Sequence, residues 1–108
     1  MYNHNNSRNE IPGLSTGLRD IADVLFDGKY TIINNDLIHL NYAIIKKINQ
    51  LRYCTKREKT YKLLKVMGIL KSSRNIVEKI CIEDKEVVLL LLDEMYFLCK
   101  ELLKEDDQ

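Results

Sequence analysis

The chain has 108 residues, enough for one hydrophobic core and too few for two independent ones. Its apolar fraction of 45% and charged fraction of 31% are those of a folded globular protein, and a formal net charge of +1 excludes a globally acidic or basic polypeptide. One proline (Pro12), four glycines and no tryptophan leave few enforced turns, which favours a few long helices over many short strands.

Residues 1 to 13 hold Asn3, Asn5, Asn6, Arg8, Asn9 and Glu10 with few apolar side chains. Burial there cannot offset the entropy of ordering the chain, so a disordered tail is expected. The stretch is not a basic and apolar leader, and an intracellular setting, cytoplasmic or nuclear, is the expectation. Residues 14 to 108 are expected to form a single helical domain, an all-α bundle of three or four helices. In the first helix Leu18, Ile21, Ala22, Leu25 and Phe26 recur at three- and four-residue steps. Ser15 or Thr16 suits its N-cap, and Asp27-Gly28 suits its end. Lys29 to Ile33 is β-branched and aromatic, yet a lone strand has no partner, so it reads as a connector.

Asn35 or Asp36 can cap a second helix, with Leu37, Leu40, Ile44, Ile48 and Leu51 in one stripe and Ile38, Tyr42 and Ile45 widening it. Thr55-Lys56-Arg57-Glu58 has the spacing of a capping box and predicts the start of a third helix. Leu63, Leu64, Val66, Met67 and Leu70 are its expected inward residues. Gly68 and Ser72-Ser73 leave open whether 56 to 81 is one helix or two. In the last helix, preceded by Glu83 and Asp84, the expected apolar spine is Val88, Leu91, Leu92, Met95, Leu98 and Leu102. Leu89 and Leu90 add to it, so residues 87 to 92 are expected to be covered on most sides or reserved for another chain. The apolar run from Val87 to Leu92 is six residues long, where a bilayer span needs ~20, and no membrane role follows.

The neutral total conceals a segregation of charge. Residues 46 to 79 hold eleven basic and two acidic residues, and residues 82 to 108 hold three basic and nine acidic. Lys56, Arg57, Lys59, Lys62 and Lys65 can each neutralise a phosphate, with Tyr61 as a stacking partner for an unpaired base, and Lys62 and Lys65 fall on the outward side of a helical wheel. Against this, a lysine-rich helix is commonly a solvated face, partly paired with acidic residues across a bundle. Thr60 to Ile80 can be laid on a helix-turn-helix pattern through Leu63, Met67, Gly68, Ile69 and Val77, but Leu64 is too large for its close crossing and Arg74 falls where burial is required.

Catalytic signals are thin. His39 has no ligand or nucleophile at motif spacing, and His4 lies in the tail. The pairs Glu83-Asp84, Asp93-Glu94 and Asp106-Asp107 diverge by about 100° on a helix and cannot share a proton. Phosphate-binding glycine loops and nucleophile elbows are missing from the sequence. Cys54, Cys81 and Cys99 are dispersed and odd in number, as in small buried hydrophobes of a reducing compartment. The sequence thus predicts a non-enzymatic adaptor or complex subunit without metal, cofactor or small-molecule substrate. Its partner is another protein chain or a second copy, with binding of RNA or DNA by segment 46–79 as the alternative.

Overall fold

The computed structural model describes residues 14–29 and 37–105, the side chains of residues 14, 15, 37 and 38 excepted. The expected tail, most of the connector and the Asn35 or Asp36 cap lie outside the described residues. Four α-helices and one short 3-10 turn make up the rest: α1 Leu14–Phe26, α2 Leu37–Gln50, the turn Leu51–Tyr53, α3 Lys56–Lys79 and α4 Lys85–Lys104. No strand occurs among the described residues, and the architecture is an all-α bundle.

Local chemistry sets several boundaries. Asp27 and Gly28 both take left-handed backbone angles, φ 55° and 74°. The Gly28 N–H donates to the Asp23 carbonyl at 2.9 Å, closing α1 where glycine's missing Cβ removes the steric penalty. Thr55 caps α3, its Oγ1 accepting from the Glu58 N–H at 3.2 Å, a bond worth about 1 kcal/mol in helix stability. At the other end of α1, helix geometry already begins at Leu14, so Ser15 and Thr16 lie inside the helix instead of capping it.

The longest helix, α3, runs unbroken for 24 residues through Gly68, Ser72 and Ser73. That settles the one-or-two question and removes the helix-turn-helix reading, since no turn interrupts the chain at Gly68. The reason is tertiary. Ser73 is buried at the place where α1 crosses, and a Cβ on Gly17 would stand 2.0 Å from the Ser73 Oγ and 3.0 Å from its Cβ. Two small residues let the helix backbones approach, and packing overrides the local weakness of Gly and Ser as helix formers.

The helices close a ring: α1 packs on α2 and α3, α3 on α4, and α4 more lightly on α2. Leu18, Ile21 and Leu25 of α1, Leu40, Ile44 and Ile48 of α2, Leu63, Val66, Leu70 and Val77 of α3, and Val88, Leu92, Met95, Cys99 and Leu102 of α4 form one core cluster. In α4 the buried stripe therefore passes through Leu92 and Cys99, and the expected Leu91 and Leu98 are only half-buried at its border.

Candidate functional site

The residues expected to bind phosphate divide into two groups. Lys59 is 4% exposed and its Nζ donates to the Leu102 carbonyl at 3.1 Å, placing an ammonium at the C-terminal, negative end of α4. Lys62 is 8% exposed, with its Nζ 3.3 Å from the Glu58 carboxylate and 3.6 Å from that of Asp27. The outward placement expected of Lys62 is thus corrected: it faces the end of α1 and ties it to α3. Both lysines fall in or beside the core register 59, 63, 66, 70, 73, 77, and their stems are buried with the apolar side chains while their charged ends are satisfied.

The second group is exposed. Lys56, Arg57 and Lys65 lie on the surface of α3 with Tyr61, and the Lys65 Nζ sits over the Tyr61 ring at 6.0 Å from its centroid. Lys71 and Lys79 are exposed further along the same helix. None of these five cations has a carboxylate partner among the described residues. Elsewhere the basic segment does pair across the bundle. Arg74 donates through Nε to Asp93 of α4 at 2.8 Å and also pairs with Glu78, and the Asp93 contact raises the already high guanidinium pKa. Arg52 stands 3.7 Å from Glu105, and the Lys47 Nζ lies over the Phe26 ring.

On α4, Val88, Leu92, Met95 and Leu102 of the expected spine are buried in the core. A second stripe faces outward: Val87, Leu90 and Phe97 are 65%, 60% and 61% exposed, bordered by half-buried Leu91 and Leu98. Coverage of residues 87 to 92 on most sides is therefore not what is found. With Val88, Leu92, Met95, Cys99 and Leu102 turned to the core, residues three or four positions apart on the other side of the helix must face water. Glu86, Glu94 and Glu101 interleave with that stripe, and the exposed Lys104 lies 3.9 Å from Glu101, so the stripe is apolar with a predominantly acidic border.

A groove of about 640 Å³ lies between α1 and α3. Thr16, Gly17 and Asp20 form one wall, and Leu64, Lys65, Ile69, Ser72 and Ile76 the other. Gly68 lines it as well, and a Cβ there would meet no atom within 4 Å. The groove was not singled out from the sequence, whereas the apolar excess of α4 was flagged there through Leu89 and Leu90, without its division into an inward and an outward stripe. The signal for the stripe lay in the spacing 88, 92, 95, 99, 102, which appears once Cys99 is counted as apolar.

No cluster of three or more metal-ligating side chains stands together among the described residues. Cys54 is half-buried, Cys81 exposed and Cys99 buried, all as free thiols. Burial pushes the Cys99 thiol up to about 12, which keeps it protonated and unreactive. His39 is exposed on α2. Among the described residues no helix is long and apolar enough to cross a membrane. Comparison with protein-family models, with curated proteins and with solved structures finds no match, so function is argued from the geometry of the chain itself.

Proposed function

We propose that this protein is a non-enzymatic subunit or adaptor that docks another polypeptide on the outward flank of α4. The observation that carries the reading is the exposure of Val87, Leu90 and Phe97 at three- and seven-residue steps on one helix face. Small monomers seldom leave large apolar side chains aligned in this way, and aligned ones are the anchors of helix-in-groove and helix-to-helix recognition. Half-buried Leu91 and Leu98 extend the strip, and Glu86, Glu94 and Glu101 give it an acidic rim that favours partners of basic character. Photo-crosslinking from a benzophenone side chain placed at position 90 tests this, first in the purified protein and then in an extract of the source cells. Adducts with a polypeptide at 90, absent from a control placed at exposed Lys100, support the reading. No adduct in either setting overturns it.

A second reading has its own observation, the five exposed cations of α3 with Tyr61 among them. They suit single-stranded nucleic acid, with Lys59 and Lys62 removed from the contact set and Lys71 and Lys79 added. The Arg57→Glu, Lys65→Glu variant should then lose affinity for single-stranded RNA and show a shallower salt dependence than the parent. Equal binding by the two proteins sinks this alternative.

A further inference from the structure

Along the outer side of α4, Val87, Leu90, Glu94, Phe97, Glu101 and Lys104 follow one another at alternating three- and four-residue steps. That alternation is the seam of a two-helix packing, in which one helix presents a straight line of side chains to another. All six are exposed or half-exposed. The line is not uniform. Val87, Glu94 and Glu101 recur at seven-residue steps, and Leu90 and Phe97 stand between them. Beside it, half-buried Leu91 and Leu98 repeat the same seven-residue step. Glu94 therefore has apolar side chains before it, after it and at its flank. It has no ion-pair partner among the described residues, and Glu101 has Lys104 at 3.9 Å.

We infer that the polypeptide docked on this flank is an amphipathic helix carrying lysine or arginine at two positions seven residues apart, with large apolar residues between them. This rests on the docking reading of α4 given above. The two carboxylates make the selection. Glu94 and Glu101 stand two turns apart, about 10 Å, on one line. A helix that covers Leu90 and Phe97 must also cover both carboxylates, and a covered carboxylate opposes binding unless a cation meets it. Cations seven residues apart on a partner helix return to one face at the same spacing, so a single register satisfies both. Their methylene stems lie over Phe97 and extend the apolar contact. A second copy does not meet the need. Parallel packing sets Glu94 against Glu94 and Glu101 against Glu101, and an antiparallel packing that covers Val87 and Leu90 sets Glu94 against Phe97 and Glu101 against Leu90. Neither seats a cation opposite either carboxylate. Nucleic acid fares worse, because its phosphates repel both.

The test uses the full chain and designed helical peptides of about 21 residues, each with leucine at one seam position of every heptad. The first carries lysine at the other seam position, and the second carries glutamate there. The third has the composition of the first, with glutamine in the seam and the lysines moved to the opposite side of the helix. Fluorescence anisotropy reads binding at about 50 mM salt, where charge is least screened. The first peptide should bind about tenfold more tightly than the third, although their net charges are equal, and the second should not bind. Glu94→Lys with Glu101→Lys should exchange the preference, losing the first peptide and gaining the second, which an unfolded variant could not do. Equal binding of the first and third peptides means charge attraction without register and overturns the inference. So does a charge-swapped variant that still prefers the first peptide. A wild-type protein that doubles its mass in light scattering, with the crosslink from position 90 falling on its own chain, overturns it in favour of a second copy. If position 90 crosslinks a different polypeptide while the first peptide fails to bind, the basic helix is overturned and the docking reading stands. No peptide binding and no adduct overturn both.

Discussion

Lys59 continues the register that turns Leu63, Val66, Leu70 and Val77 into the core, and its ammonium ends on the Leu102 carbonyl at the last turn of α4. Its stem packs as an apolar side chain, and its charge meets the negative end of a helix dipole. Replacing Lys59 with methionine keeps the stem volume and removes the donor, for an expected loss of about 1 to 2 kcal/mol. Alanine also removes the stem and should cost more, about 2 to 4 kcal/mol. Urea unfolding of the two variants checks the order, and alanine no worse than methionine would show that the stem carries no packing. Cys99 offers a pH test. Burial raises its thiol pKa from the ordinary cysteine range to about 12, so the folded state holds the proton more tightly than the unfolded chain. The stabilisation is fully present below about pH 9 and is lost as pH rises from there toward 12. The stability advantage of the wild-type protein over Cys99→Val should therefore shrink between about pH 9 and pH 11, measured by denaturant midpoints; a constant difference would refute the burial.

At the scale of the helices, two glycines have opposite roles. Gly17 meets Ser73 at the crossing of α1 and α3, where an added Cβ would stand 2.0 Å from an oxygen and 3.0 Å from a carbon. Gly17→Ala should destabilise by about 1 to 3 kcal/mol through overpacking, and Ser73→Ala in the same chain should recover part of the loss by removing the closer atom. Gly68 faces open space in mid-helix, so Gly68→Ala should stabilise by about 1 kcal/mol. Thermal unfolding of the three variants decides this, and a destabilised Gly68→Ala would mean that the α3 face is not open. These helices were partly legible in the sequence. The Thr55 to Glu58 cap and the Asp27-Gly28 stop depend on a few neighbouring residues, and local chemistry suffices for them. The continuity of α3 was not legible, because Gly68 and Ser72-Ser73 look like a break until α1 is seen lying across Ser73. Nor was the burial of Lys59 and Lys62. Helix geometry places every third or fourth residue in the core whatever its polarity, and polarity alone put both lysines among the expected phosphate contacts.

Across the whole molecule, the segregation of charge between α3 and α4 was visible from counting, but its use was not. Arg74 pairs with Asp93, whereas Lys65 and Glu94 end on outer surfaces, and only the arrangement of the helices separates those outcomes. The same holds for α4. Its sequence contains two interleaved apolar stripes, and which one faces inward is decided by where α2 and α3 stand. That division yields a prediction at the level of the assembled bundle. Leu90→Lys with Phe97→Lys changes only the outward stripe and should shift stability by no more than about 0.5 kcal/mol. Leu92→Ala opens a cavity in the core and should cost about 2 to 5 kcal/mol, although it removes far less apolar surface than the double variant. Thermal circular dichroism compares the two directly. If the double lysine variant melts as early as Leu92→Ala, the outward stripe is a wall of the core and the docking surface disappears with it. If it melts with the parent, the bundle stands without leucine and phenylalanine there, and any role they have lies outside the fold of a single copy.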